Sequence, residues 1–152
     1  MKRLFAIGKQ ISRRVLASGI TSGRWMILGH SEKDQCVAHQ DVLLLDLRDE
    51  TSAIAAYRDW HRPGGPPADV VESIRNAGIT DMQIFLAGNR LAMLMTVDDR
   101  FDAAAKAAAD RANPAVVRWE ALMDTLQQAL PFAPAGVKWV PAERIFALSD
   151  QP

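Results

Sequence analysis

Tyr57-Arg58-Asp59-Trp60-His61 holds two side chains able to handle protons, and it runs into Arg62-Pro63-Gly64-Gly65-Pro66-Pro67. Residues four apart share one face of a helix, so the Tyr57 phenol and the His61 imidazole point the same way if this stretch is helical. Histidine titrates near neutrality, which suits it to general acid–base work. The following loop, with three prolines and two glycines, cannot continue a helix and is expected to hold a fixed non-helical shape, as the rim of a pocket requires.

The rest of the chain must position that pair. Its 152 residues are the size of one domain, with 49% hydrophobic and 24% charged residues, values typical of a globular protein. No apolar run approaches the roughly 18 residues that span a bilayer. Cys36 is the single cysteine, so no intramolecular disulfide can form, and a reducing, cytoplasmic setting is expected. The formal net charge of zero hides an asymmetry: residues 1–40 carry seven Lys or Arg against two acidic residues, leaving eleven against sixteen in residues 41–152. An acidic body lacks the basic face that phosphate neutralisation needs, so no nucleic-acid partner is expected. Residues 1–40 read as a poorly ordered basic extension, in which Leu4, Ile7, Ile11 and Val15 have the spacing of a marginal amphipathic helix. Their Arg and Ser content also fits a transit peptide or translation from upstream of the natural start.

From residue 41 the signals are regular. Val42 to Leu47 is an apolar run of strand length, and Asp49 or Thr51 offers a cap for the helix reaching His61. A helix is expected over Ala68 to Asn76, stopped by Gly78. Met82 to Leu86 and Leu91 to Val97 read as strands joined by a tight Gly88-Asn89 turn. Phe101 to Ala112 is alanine-rich and helical, with Asp98 and Asp99 as candidate caps. Asn113-Pro114 opens the next helix, whose apolar stripe Trp119, Leu122, Met123, Leu126 and Leu130 runs to Pro131. A loop over Pro134 to Pro141 and a closing strand over Arg144 to Leu148 complete the order. This is the α+β pattern of a ferredoxin-like four-stranded antiparallel sheet with helices on one face. The second sheet face carries apolar residues with nothing of its own to cover them, so a homodimer packed sheet to sheet is expected.

Several motifs, in order, resemble the L-rhamnose mutarotase family: Tyr57-x-x-x-His61, the proline-rich loop, Ala77-Gly78-Ile79-x-Asp81-Met82-x-Ile84, Val97-Asp98-Asp99, Trp119-x-x-Leu122-Met123 and Glu143-Arg144-Ile145-Phe146. The loop variant His61 to Pro67 and the pair Gln127-Gln128 before Leu130-Pro131 are similar to its L-fucose branch. The resemblance covers residues 41–149 and implies a dimeric α+β barrel that interconverts the α and β anomers of a 6-deoxy-L-sugar. It assigns proton transfer to His61 and sugar contact to Tyr57, and it adds no metal or redox cofactor. Opening a cyclic hemiacetal needs one proton delivered to the ring oxygen and another removed from the anomeric hydroxyl, which suits a histidine. Trp119 offers an aromatic wall for the sugar's C–H face, Asp81 could bind hydroxyls, and Gly65 is expected in the pocket wall. The chain departs from the rhamnose enzymes at Gly65-Pro66, where Trp-Pro is frequent, at Phe85, where tyrosine is common, and at Thr96, where glutamate is often found. These departures leave the partner of His61 in proton transfer unassigned.

Plainer readings exist for the same residues. His61 could be satisfied by backbone or solvent at the start of a loop, Tyr57, Trp60 and Trp119 could be core aromatics, and Asp81 could cap or terminate a strand. His30, Asp34, Cys36 and His39 match no closed zinc spacing, and Gly64-Gly65 lacks the lysine and hydroxyl residue of a phosphate loop. Ferredoxin-like dimers also serve as cofactorless monooxygenases or small-ligand-binding modules, an alternative that fold alone does not separate.

Overall fold

The computed structural model describes residues 39–152. Within them β1 (His39–Leu47), β2 (Ile79–Ala87) and β3 (Arg90–Val97) form the body of an antiparallel sheet, crossed by α1 (Thr51–Trp60), α2 (Ala68–Asn76), α3 (Ala103–Ala112) and α4 (Pro114–Asp124). Two short strands, β4 (Gln127–Gln128) and β5 (Val140–Pro141), both pair with β1. The order β2-β3-β1-β4 is the ferredoxin-like arrangement expected from the sequence. β1 starts at His39, two residues inside the segment read as an extension; the rest of that segment lies outside the described residues.

Register decides which side chains meet the helices. Ile84, Met93 and Leu43 form one row across the sheet, and Leu86, Leu91 and Leu45 the next. These alternate with rows that face away, such as Phe85, Ala92 and Leu44. In the first set Leu43, Leu45, Leu91 and Met93 are buried and Ile84 and Leu86 half-buried, and they pack with Tyr57, Ile54, Ile74, Phe101, Trp119 and Met123 into a single core. The second set has no helix above it, and Phe85 is 54% exposed. In this set Arg90 holds Asp46 through two hydrogen bonds, of 2.9 and 3.0 Å, directly across the strands.

Local chemistry differs from expectation at four places. α1 begins at Thr51, and Glu50 caps it without a side-chain bond, so neither Asp49 nor Thr51 acts as the cap. Asp102, rather than Asp98 or Asp99, caps α3 by accepting from the Ala105 amide at 2.8 Å. The Asp98 carboxylate instead takes the Arg100 amide and guanidinium. α4 opens on Asn113-Pro114 as read, with the Asn113 side chain accepting from Ala115 N, but it stops at Asp124. Arg48 N then donates to Leu126 O at 2.9 Å and Gln127-Gln128 pairs with β1, so sheet pairing claims the end of the predicted apolar stripe. The closing strand lies at Val140–Pro141, opposite Leu43 and Leu44. The segment Arg144 to Ala147 makes no strand and leads into a 3-10 turn, Leu148–Asp150. The Gly88-Asn89 hairpin forms as expected, with Gly88 at φ 62°, where a side chain would be strained.

Leu45 is fully buried at the centre of β1. Leu45→Ala should lower unfolding stability by about 2–5 kcal/mol in urea titrations followed by far-UV circular dichroism. A loss under about 1 kcal/mol would contradict the placement of the core.

Candidate active site

α1 ends one residue short of His61. The amide of His61 still donates to Tyr57 O and Arg58 O, each at 3.2 Å, but its backbone has left the helix at φ −101°, ψ 6°. This swings the imidazole back over the preceding turn, where Nδ1 lies 2.8 Å from Tyr57 O and the ring stacks on the Tyr57 ring at a centroid distance of 4.0 Å. A carbonyl oxygen can only accept, so Nδ1 carries the proton and Nε2 of the neutral ring keeps its lone pair. Burial lowers the His61 pKa from its ordinary 6.5, against a smaller raising effect of the Tyr57 carbonyl, so the neutral ring is the resting form at pH 7. Burial also pushes the Tyr57 phenol up to about 12, with the Gln127 side chain pulling the other way. Tyr57 therefore stays a neutral hydroxyl.

The proline-rich loop folds tightly onto the end of α1. Gly65 N donates to Arg62 O at 2.8 Å, and a Cβ on Gly65 would lie 2.4 Å from Trp60 O. Gly65 is thus required by close backbone approach, and it is Pro66 that reaches the cavity. Pro67 then stands at the N-cap of α2. From the other side α4 brings Trp119 edge-on to His61, with centroids 5.5 Å apart, and Trp60 packs edge-on behind Trp119 at 6.1 Å. Trp60 remains 41% exposed and stays out of the cavity lining.

These groups line a cavity of about 360 Å³ between the helices and the sheet, within the range of small-molecule sites. Its walls are mostly apolar, from Met82, Met93, Met95, Met123 and Trp139 among others. The polar groups are His61, Tyr57, Gln127, Glu120 and Lys138, with Ser73, Lys106 and Asp110 beside them. Lys106 Nζ donates to both Asp110 oxygens at 2.5 and 2.6 Å and Ser73 Oγ donates to one at 3.0 Å, so this buried ion pair is satisfied internally. Lys138 is paired with Asp124. Glu120 has no such partner: its Oε2 is buried without a hydrogen bond, and burial raises its carboxyl to about 7. Among the described residues no group of three His, Cys, Asp or Glu side chains could hold a metal ion.

Glu120, Gln127 and the Lys106–Asp110 pair were not singled out for a role by sequence. One signal was available for the first: Glu120 follows Val116 by four and precedes Met123 by three, so a carboxylate sits on the buried stripe of α4. Asp81 goes the other way. The register shift between Ile79 and Asp81 turns its side chain to the helix-free face, where Gln83 Nε2 donates to it at 2.8 Å, and the hydroxyl-binding role expected for it has no geometric basis.

The sequence profile described as L-rhamnose mutarotase matches residues 41–148, most of the chain. The chain belongs to the L-rhamnose mutarotase family. An L-fucose mutarotase from Xanthomonas campestris pv. campestris is 50% identical over 107 residues, which are 70% of this chain and 86% of that protein. The crystal structure of L-rhamnose mutarotase from Formosa agariphila aligns with a TM-score of 0.48 and 18% identity over 72% of this chain and 98% of its own. Within this mutarotase-family chain the departures at Phe85 and Thr96 fall on the helix-free face, away from the cavity, while the departure at Gly65-Pro66 falls on the cavity rim.

The tautomer of His61 is directly measurable. Nitrogen-15 correlation spectra should show a protonated Nδ1 and a bare Nε2 at pH 7.5, with the midpoint of ring protonation below 6.5. A bare Nδ1, or a midpoint above 6.5, would contradict this geometry.

Proposed function

We propose that the protein is an aldose mutarotase that interconverts the α and β anomers of a 6-deoxy-L-sugar, with L-fucose preferred and L-rhamnose second. Family membership and the 50% identity to an L-fucose mutarotase support the reaction and the sugar. The observation that carries the site is the His61 imidazole, held by Tyr57 O in the tautomer that leaves Nε2 free and set in the cavity wall beside Trp119. Nε2 accepts the proton of the anomeric hydroxyl as the bond between anomeric carbon and ring oxygen opens. The aldehyde turns about its bond to the next carbon, and the ring recloses on the other face. Every step is a proton transfer or a reversible C–O bond change, so no covalent enzyme intermediate is needed. Tyr57, held as a neutral phenol, donates a hydrogen bond to the sugar, and the Trp119 ring covers its C–H face.

The partner we propose is a second copy of the chain. Val42, Leu44, Ala92, Leu94 and Phe85 form a contiguous apolar patch on the helix-free face, bordered by the Asp46–Arg90 pair and by Asp81. An apolar centre with a polar border suits a two-fold interface in which the patch meets itself. The C-terminal segment adds Ile145, Phe146 and Leu148, exposed at 90%, 63% and 79%, which a partner subunit would cover. No helix among the described residues is long and apolar enough to cross a membrane, and with Cys36 the single cysteine in the sequence we propose a cytoplasmic location.

Freshly dissolved α-L-fucose, followed through its anomeric proton signals by NMR, should equilibrate faster with the protein than in buffer, and α-L-rhamnose more slowly than fucose. No acceleration for either sugar removes the proposal. His61→Ala should lower the rate by about 10²–10⁴-fold with an unchanged far-UV spectrum. Multi-angle light scattering should return the mass of two chains for the native protein and of one for Phe85→Asp; a native mass of one chain refutes the dimer.

A further inference from the structure

A hemiacetal opens only if the ring oxygen gains a proton as the anomeric hydroxyl loses one. His61 Nε2, a bare acceptor in the resting state, supplies one half of that exchange. The other half needs a neutral acid in the same cavity. Tyr57 holds its proton too tightly for efficient transfer near neutrality, since burial has pushed it to about 12. Lys106 and Lys138 are committed to Asp110 and Asp124.

We propose that Glu120 is that acid: from α4 its carboxyl delivers a proton to the ring oxygen of the sugar while His61, from α1, accepts the proton of the anomeric hydroxyl. This rests on the mutarotase reading of the site and extends it with the second proton-transfer group.

Three observations support it. Glu120 lines the same cavity as His61 and adjoins Trp119, whose ring touches the imidazole, so the two groups flank one space from different helices. Its Oε2 is buried without any hydrogen-bond partner, whereas buried polar atoms in folded proteins are nearly always satisfied. A carboxyl with one oxygen shut away from solvent and unpartnered, on a side chain that lines the cavity, is in the setting that favours the neutral, proton-bearing acid. Finally, its surroundings keep it protonated. Burial dominates, and Asp110 on α3 and Asp124 on α4 add to it. Lys138, ahead of β5, and Lys106 on α3 oppose it, but each already neutralises its own carboxylate. The carboxyl therefore sits at about 7, while His61, beside Tyr57 and Trp119, sits below its ordinary 6.5. Just below pH 7, between the two, the larger share of molecules thus holds an acid with its proton and a base without one.

The exchange balances without any co-reactant. Glu120 gives its proton to the ring oxygen, the C–O bond breaks with its electron pair on that oxygen, and the anomeric hydroxyl becomes the aldehyde as His61 takes its proton. Closure on the opposite face runs in reverse: His61 returns its proton to the aldehyde oxygen, and Glu120 recovers one from the attacking hydroxyl. Both groups end as they began.

Glu120→Gln keeps the shape and removes the proton. In the L-fucose assay it should lower the rate at pH 7 by about 10²-fold. The wild-type rate should also fall above about pH 7 as Glu120 ionises, and that alkaline limb should vanish in the variant. A residue with a purely structural role would lower the rate without removing the limb. Stability follows the same group: a folded-state pKa above the ordinary 4.5 means that stability is lost as pH rises from 4.5 through about 7. Glu120→Gln should therefore melt higher than wild type at pH 8, the difference closing towards pH 4.5. A wild type that accelerates fucose equilibration while Glu120→Gln retains its full rate and alkaline limb overturns this inference alone. A wild type with no acceleration overturns the mutarotase reading beneath it. If the variant does not fold, carbon-13 titration of the wild-type Glu120 carboxyl decides: a midpoint near 4.5 refutes the role, and one near 7 upholds it.

Discussion

One carbonyl oxygen, that of Tyr57, organises this site. It accepts the His61 amide, as the last turn of a helix requires, and also the His61 Nδ1 proton. Helix termination and imidazole orientation are therefore one event. If α1 ran a residue further, His61 would take helical torsions and its ring would leave the Tyr57 carbonyl; if α1 ended earlier, the phenol would lose the turn that buries it. The loop ensures the stop. Gly65 packs against Trp60 O at a distance no side chain tolerates, which fixes the turn directly after His61.

The cavity depends on how the remaining charge is distributed. Three cavity-lining charged residues, Lys106, Asp110 and Lys138, are consumed in ion pairs, and Ser73 completes the shell of Asp110. An unpaired buried charge would be costly, and these pairings remove that cost while leaving the space apolar enough to shift the groups that are not paired. Glu120 and His61 are displaced in opposite directions for the same reason, since burial disfavours the charged form of each.

Much of this was legible along the chain. Strand alternation, the Gly88-Asn89 turn, the Asn113-Pro114 start and the helix over Ala68 to Asn76 are local chemistry, and local chemistry places them correctly. Tyr57 and His61 could be placed on one face because helical spacing alone does so. The misreadings share a cause. Leu126 to Leu130 continue a helical apolar pattern, yet Leu126 O, Gln127 and Gln128 are claimed by backbone pairing along β1; Arg144 to Leu148 look strand-like, yet the edge of β1 is already occupied by Val140–Pro141. Asp81 was misplaced by a bulge that shifts the alternation by one residue. Each is a competition for partners distant in sequence, which periodicity does not register.

By itself, then, the sequence determined the α+β order, the helix end carrying Tyr57 and His61, and the rigid loop after it, because torsional preference, hydrogen-bond capacity and side-chain spacing act over a few residues. Tertiary structure decided that Trp119 meets His61, that Pro66 rather than Gly65 faces the cavity, that Asp81 is turned away, and that the Glu120 carboxyl is buried without a hydrogen-bond partner for Oε2. Those outcomes depend on which surfaces meet and on which cations are already paired. Burial and pairing are properties of the packed chain, and they set the proton affinities on which the proposed chemistry rests.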